Sequence, residues 1–446
     1  MNFAAAEHYL IGTINETFSR REPYRLERMR AFLRELGNPQ DTYPTLHVGG
    51  TSGKGSTSTM ASAALHASGL RTGLHTKPHL SSMTERARID GVAVSEERFA
   101  GVLESMMPAI ERTAADHGRP TYYETLLALT FVYFYQERVD IAAIEVGLGG
   151  RLDGTNVLAP LVTAITSIGF DHMDVLGETI ESIATEKAGI IKPGVPIVSS
   201  VENETAQAIL ASEALRVGAP MVRVRDAARI ERLDDIGAAQ RYAQSFAVTT
   251  ERAKYSIGMP VLGAFQRRNA ATAIVALEAL PAQLRPSPAA VERGFSFVSI
   301  PGRMEVFPGH PTVVFDIAHN AEKAEHLVVA LAEHFEERRR SFVVAIGESK
   351  DASQIVRALT AVPASFIFTT FEASGRTATR PQRLARIAES FGAWGRSIED
   401  PVEALSIARS GAGSDDVIVV TGSTFVVAKL RAWWLENVAH ARPNFA

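Results

Sequence analysis

Apolar positions along this chain follow two different rhythms. In RLERMRAFLREL (25–36) they recur every three or four residues, which predicts an amphipathic helix that Gly37 and Pro39 bring to an end. TLHV (45–48) is instead an unbroken apolar run, set directly before a glycine-rich loop. STSTMASAALHASG (56–69) then returns to a helical pattern of small residues. The order repeats: TLLALTFVYFYQE (125–137) reads as a helix, and DIAAIEVG (140–147) and LVTAITSIG (161–169) as further runs. Continuous apolar runs bounded by glycine and polar turns predict parallel strands buried on both faces.

After Pro301-Gly302 a second series begins. TVVFDIAHN (312–320), SFVVAIGE (341–348), SFIFTTF (365–371) and DVIVVTGS (416–423) are strand-like, and helical stretches such as AEKAEHLVVALAEHF (321–335) separate several of them. The pattern predicts an α/β protein. A P-loop-type parallel-sheet domain spans 1–297 and a smaller Rossmann-like α/β domain spans 298–446, with the boundary near 297–300. There is no internal repeat and no low-complexity tract.

Composition narrows the functions open to such a chain. Its 446 residues suit two domains, and 46% hydrophobic with 22% charged residues is ordinary for a globular enzyme. A formal net charge of −4 argues against nucleic acid held by a general basic surface. The absence of cysteine rules out disulfides, thiolate zinc sites and cysteine nucleophiles. MNFAAAEHYLIGTINETF lacks a basic n-region and carries Glu7, so it does not read as a signal peptide. No apolar run approaches the roughly 18 residues needed to span a bilayer. The expectation is a cytoplasmic protein acting on small molecules, with no nucleic-acid or membrane partner, as a monomer.

The candidate chemistry sits where strand-like runs end. HVGGTSGKGSTSTM (47–60) places Gly53 and Lys54 as a phosphate loop would, but Val48 replaces the usual first glycine and Gly55 displaces the hydroxyl to Ser56. IEVGLGGRLDGTN (144–156) carries Glu145 at the carboxyl end of its run, where an open α/β sheet meets its ligand. A carboxylate there suits Mg²⁺, although a solvated strand-end glutamate is the commoner case. SIGFDHMDVLGETIESIATEKAGIIKPG (167–194) repeats the arrangement with Asp171-His172 and a helix ending at Glu186-Lys187-Ala188-Gly189. PGRMEV (301–306) and FDIAHN (315–320) each set polar groups beside a turn or strand end.

Taken in order, HVGGTSGKGS, TERARIDG, YYE, EVGLGGRLDGTN, TSIGFDHMDVLG, ATEKAGIIKPG, LGAFQRRNAATA, PGRMEV, DIAHN and TGS resemble the folylpolyglutamate synthase/dihydrofolate synthase family. This is a branch of the Mur-ligase-like ATP-dependent amide ligases, and the resemblance runs from about residue 5 to about residue 430. The family loop reads G-T-N-G-K-G-S, and Gly50, Thr51, Ser52, Gly53, Lys54, Gly55 and Ser56 match it except at Ser52. The loop is therefore intact but of a different kind.

The resemblance implies a ligase that transfers the γ-phosphoryl of ATP to a pteroate or folate carboxylate and lets the amine of glutamate displace phosphate. Lys54 would grip the ATP phosphates. Ser56 and Glu145 would hold one Mg²⁺, and His172 would help hold a second. Lys187 aligns with a lysine used in carbamylated form. Asn269 and Arg303 align with ATP contacts and Asp316 with a ribose contact. His319 and Ser423 fall in the region receiving glutamate, and Arg86, Tyr122 and Asp153 where the pterin-bearing substrate lies. Lys54, Lys187, His172 and His319 are thus the expected catalytic residues.

Three departures from the family pattern stand out. Tyr122-Tyr123 replaces a common Phe-Phe, Thr84 a common Asn, and Thr76-Lys77-Pro78 a T-S-P motif whose serine lies near the second ion. Other readings stay open at this point: the same chemistry on another acceptor, a Mur-type peptide ligase, or a non-catalytic nucleotide-binding relative. Only 48 residues precede Gly49, and Mur enzymes place a further domain there, which disfavours the second.

Overall fold

The run Thr45–Gly49 forms a strand, β1, in which every residue is buried, which is why it shows no polar alternation. The computed structural model describes residues 1–17, 26–233, 242–373 and 375–439. It adds β2 (Thr72–His75), β3 (Ala87–Ile89), β4 (Val92–Ala93), β5 (Ile141–Glu145), β6 (Val162–Ile165), β7 (Ile197–Ser199) and β8 (Met221–Arg223) to one sheet. The order is β4-β3-β2-β5-β1-β6-β7-β8. From β2 to β8 the pairs are parallel, and β3 and β4 form an antiparallel edge. That edge turns at Asp90-Gly91, both at positive φ, the Asp-Gly hairpin chemistry contained in TERARIDG.

Register decides what meets at the carboxyl edge. Val48 of β1 lies opposite Glu145 of β5 on one side and Ala164 of β6 on the other. The glycine loop after β1 therefore emerges between a glutamate and the Thr166-Ser167 turn. One row below, His47 and His75 flank Ile144 on the two neighbouring strands. Both histidines are fully buried; His47 Nε2 pairs with Thr155 Oγ1 at 2.8 Å and His75 Nδ1 with Thr130 Oγ1 at 3.2 Å. Burial lowers each ring to a pKa of about 3.

The helix expected over 125–137 from its apolar face runs from Tyr122 to Gln136, and begins three residues earlier because Thr121 caps it in a capping box with Glu124. It covers one face of the sheet, where Phe131 and Phe134 are wholly buried. Gly73 in β2 lies beneath Phe134, since a Cβ there would sit 2.8 Å from the ring. Helix Lys54–Ala67 meets helix Pro288–Ser296 so closely that a Cβ on Gly294 would lie 2.6 Å from the Ala63 carbonyl.

A whole sheet carries no run that the sequence pattern marks, and neither do the short strands β2, β3, β4, β7 and β8. β9 (Arg229–Arg232), β10 (Gln244–Thr249) and β11 (Lys254–Met259) form a separate sheet in the order β11-β10-β9. β9 is mostly exposed, β11 alternates, and β10 is largely buried but has Gln244, Ser245 and Thr249 at its ends, so none shows the continuous apolar run of a central strand.

The second compact unit holds β12 (Glu305–Phe307), β13 (Thr312–Phe315), β14 (Arg340–Val344), β15 (Ser365–Phe368), β16 (Gly395–Ser397) and β17 (Val417–Thr421), ordered β12-β13-β17-β14-β15-β16. All neighbours are parallel except the β12–β13 hairpin. Phe342, Phe366 and Phe368 stack in sequence at 5.3 and 5.8 Å between ring centres. The unit begins its main run at Ser299, but Met259–Phe265 also belongs to it. The reason is Leu262, buried in the same core as Val314 and Phe342. A single cut near 297–300 therefore does not separate the units completely. Among the described residues no helix is long and apolar enough to cross a membrane.

Replacing Phe134 with alanine should empty the centre of the first core. We expect a loss of about 3–5 kcal/mol, seen as a lower urea midpoint for the transition of that unit, with the second unit's transition unmoved.

Candidate active site

The loop after β1 has its shape because three glycines leave room for neighbours. Gly50 (φ +138°) has Thr166 Oγ1 where a Cβ would be, at 2.1 Å. Gly53 (φ +87°) faces Asn269 Oδ1 at 2.3 Å, and Gly55 faces Glu145 Oε2 at 3.0 Å. The back of the loop is bonded to the end of β6. Thr51 N donates to Ser167 O at 2.8 Å, Ser52 N to Ser167 Oγ at 2.9 Å, and Thr166 Oγ1 to Ser52 O at 2.6 Å. Ser52, which replaces the family's asparagine, keeps its own hydroxyl buried with no hydrogen-bond partner among the described residues. Gly53 caps the 14-residue helix Lys54–Ala67, whose free N–H groups favour an anion.

Two lysines converge on one loop carbonyl. Lys54 Nζ donates to Gly50 O at 3.0 Å and Thr51 O at 3.1 Å, and Lys187 Nζ donates to Gly50 O at 2.9 Å. Burial first, then the charges of Lys54 and Lys77, lower the Lys187 pKa to about 7. Lys77, two residues beyond β2, donates its backbone N–H to Glu145 Oε2 at 3.0 Å. Its ammonium has a pKa of about 8, lowered first by burial and then by Lys54, with Glu145 opposing.

Lys187 is delivered by a clamp between the two most distinctive motifs. A Cβ on Gly150 would lie 2.6 Å from Glu186 O, and one on Gly189 would lie 2.4 Å from Arg151 Cβ. Arg151 N donates to Glu186 O at 2.8 Å, and its guanidinium reaches Glu186 Oε1 at 2.6 Å. Asn156 Nδ2 bridges the Arg151 and Gly189 carbonyls at 2.9 and 3.0 Å, while Lys192 Nζ holds Asn156 Oδ1 at 2.7 Å. The glycines of GLGGR and EKAG are thus contact points, not turns alone.

Glu145 is 4% exposed and Ser56 is 5% exposed. With Oε2 held by the Lys77 N–H, Glu145 Oε1 remains, and a hydroxyl and a carboxylate oxygen suit a hard divalent ion that keeps waters and phosphate oxygens as its other ligands. Among the described residues no group of three histidine, aspartate or glutamate side chains forms a ready cage. His172 stands apart in character. It has φ +51° at the start of the short helix Met173–Leu176, and its side chain is 44% exposed, 3.9 Å from Asp171.

On the other side of Glu145, Arg86 is buried, donates Nε to His79 Nδ1 at 3.0 Å and lies 5.7 Å over the Tyr122 ring. Burial, then Arg86, lowers His79 to a pKa of about 4, which keeps that nitrogen an acceptor. Asp153, expected at the pterin, has both oxygens engaged within the protein. It accepts from Leu148 N (2.8 Å), Thr155 N (2.9 Å), Thr155 Oγ1 (2.5 Å) and Tyr123 OH (3.1 Å). Arg86 and Tyr122 are placed together; Asp153 acts as scaffold beside them. Gln266 (whose Oε1 accepts from Asn269 Nδ2 at 2.9 Å) and the Thr166-Ser167 turn carry no role in the sequence reading, and Tyr123 enters it only as half of the Tyr122-Tyr123 departure.

In the second unit, Asp316 is 6% exposed and accepts from Met304 N and Ala318 N, each at 2.8 Å. Burial raises its pKa, against the charge of Arg303 and these bonds. Arg303 lies on the turn that Glu305 pins through Gly302 N at 2.9 Å. His319 Nδ1 pairs with Ile317 O at 2.8 Å, so Nε2 is the acceptor facing Lys323 Nζ at 3.2 Å. Gly422 N donates to Ala318 O at 3.0 Å and brings Ser423 beside this segment; Ser423 Oγ caps the next helix through Phe425 N at 3.2 Å.

Sequence comparison matches residues 48–277 to the Mur ligase middle domain and 302–424 to the Mur ligase glutamate ligase domain. The dihydrofolate synthase/folylpolyglutamate synthase of Bacillus subtilis is 35% identical over 411 residues, covering 91% of this chain and 94% of that protein. The chain belongs to the folylpolyglutamate synthase/dihydrofolate synthase family. Solved members of this synthase family share its fold throughout. The Mycobacterium tuberculosis folylpolyglutamate synthase complexed with ADP superposes with a TM-score of 0.87 at 31% identity, over 97% of this chain and 98% of that one. A bifunctional folylpolyglutamate synthase/dihydrofolate synthase with Mn, AMPPNP and L-glutamate bound gives 0.81 at 29% identity, over 97% and 98%.

The synthase loop should be intolerant at Gly53 for two separable reasons, positive φ and the nearness of Asn269. Gly53→Ala should lose stability in a thermal melt, about 1–2 kcal/mol of it from the backbone alone. Adding Asn269→Ala should restore the steric part of the loss and leave the backbone part.

Proposed function

We propose that this protein uses ATP to join L-glutamate to the carboxylate of a pteroate or folate through an acyl phosphate. The observation that carries the reading is the convergence of Lys54, Lys187 and Glu145 on the loop 50–56. The family membership supports it, as do the nucleotide, metal and glutamate bound by solved relatives.

In this reading Lys54 leaves the Gly50 and Thr51 carbonyls for the phosphates of ATP, with the N–H groups at the start of helix Lys54–Ala67. Ser56 and Glu145 hold Mg²⁺, with His172 at a second position. The metal supplies charge screening between the nucleotide and the attacking carboxylate. The substrate carboxylate attacks the γ-phosphorus, its P–O bond to ADP breaks, and the acyl phosphate forms. The glutamate amine then adds to the acyl carbon, loses a proton, and inorganic phosphate departs. The protein contributes alignment, charge and exclusion of water.

Asn269, Arg303 and Asp316 serve the nucleotide in this scheme, and His319 and Ser423 the incoming glutamate. Arg86 and Tyr122 hold the pterin-bearing substrate, with Asp153 and Tyr123 fixing that wall. The protein acts as a single chain on small molecules in the cytoplasm. Purified enzyme should release ADP only when a pteroate or reduced folate and glutamate are both present, with a product heavier by one glutamyl residue in mass spectrometry. ADP release with a Mur intermediate in place of the pterin would overturn the substrate assignment.

The state of Lys187 follows from its surroundings. Carbon dioxide reacts with a neutral amine, and an ordinary lysine near pH 7.4 is neutral in only about one molecule in a thousand. With a pKa of about 7, Lys187 is mostly neutral there. We propose that it carries a carbamate, which turns a mostly neutral amine at the Gly50 carbonyl into an anionic oxygen ligand. Carbon-13 bicarbonate should give a carbamate resonance that Lys187→Ala abolishes, and stripping at acid pH should remove activity that bicarbonate restores.

Lys54→Ala should leave the fold intact, because glycines shape the loop, and should lower kcat by about 10²–10³. Turnover near that of the unaltered enzyme would show that the loop does not hold the phosphates.

A further inference from the structure

Lys77 sits two residues past the end of β2, on the strand next to β5, whose own end carries Glu145. The Lys77 N–H bonded to Glu145 Oε2 ties its loop to that carboxylate. Lys77, Lys54 and Lys187 stand close enough to act on one another electrostatically. Lys54 and Lys187 have carbonyl partners, whereas the half-buried Lys77 ammonium has no hydrogen bond or ion pair among the described residues.

The carboxylates around it do not pair with it. Asp153 has both oxygens occupied, and the Glu145 oxygen nearest the loop is taken by the Lys77 backbone. Holding a cation away from bulk water without a partner is unfavourable. Such a group is stable where a ligand completes it, and the surrounding positive charge specifies an anion. The neighbouring loop and helix N-terminus narrow that anion to phosphate.

We propose that Lys77 is a second phosphate-binding cation beside Lys54, supplying as a fixed charge the neutralisation that a second divalent ion would otherwise give. This rests on the ATP-dependent ligase reading above. An ammonium and a divalent ion repel each other at close range, so the two do not share one place. The second ion position beside His172 then stays unfilled, and the enzyme needs one tightly held divalent ion per nucleotide, with Lys54 and Lys77 at the phosphates. Lys77 takes part in no bond making or breaking.

The test uses the full chain, the non-hydrolysable nucleotide AMPPNP and Mn²⁺, with bound Mn²⁺ counted by electron paramagnetic resonance. The unaltered protein and Lys77→Arg should hold one Mn²⁺ per AMPPNP, and Lys77→Ser should hold two. Lys77→Met should bind AMPPNP at least tenfold more weakly at limiting Mn²⁺. Two tightly held Mn²⁺ in the unaltered protein, or AMPPNP affinity unchanged in Lys77→Met, would overturn the proposal. The count in the unaltered protein decides the matter even if the smaller side chains impair folding. Lys54→Met separates the two levels of the argument. If it abolishes AMPPNP binding while Lys77→Met has no effect, the nucleotide site stands and the role of Lys77 falls. If the unaltered protein binds no AMPPNP, both fall.

Discussion

Two lysine side-chain nitrogens meet at a single carbonyl oxygen, that of Gly50, and much of the first unit is arranged to make this possible. One comes from the helix directly after the loop. The other comes from a helix more than a hundred residues later. The second arrives only because Gly150 and Gly189 let the segments around Arg151 and Glu186 touch backbone to backbone. Adding a single methyl group at either glycine would push Lys187 away from the loop. The charges of Lys54 and Lys77 beside this loop are unfavourable in an isolated protein and become favourable when a polyphosphate enters. The structure therefore keeps its binding energy for a charged ligand.

The carboxylates fall into two groups by their partners. Asp153 and Asp316 accept several backbone and hydroxyl hydrogen bonds and hold chain turns in place. Glu145 accepts one backbone bond and retains an oxygen for other use. Burial alone does not separate these cases, since all three are nearly inaccessible. The number of internal partners does.

Much of this was legible in the sequence because parallel strands buried on both faces leave unbroken apolar runs, as in β1, β5, β6 and β17. Chemistry then falls at the run's end. What stayed hidden has physical causes. The sheet β9–β11 lacks such runs, and Leu262 joins the second core from a position far earlier in the chain. The Thr166-Ser167 turn and Gln266 act through bonds to residues a long way off in sequence or one helical turn on, so their small polar side chains gave no local signal. Asp153 and Tyr123 show the same limit: motif position located the region, while only the hydrogen-bond pattern separates a wall from a ligand.

The row His47–Ile144–His75 beneath the loop has a consequence for how the site responds to acidity. Histidine is the side chain that ordinarily changes charge between pH 5 and 8. Here two of them, directly under the nucleotide loop, have pKa values of about 3, so they stay neutral through that whole interval. The amines above them, with values of about 7 and 8, are the groups that titrate there. The usual division of labour is inverted: the imidazoles form an electrically silent floor, and the lysines sense the proton concentration.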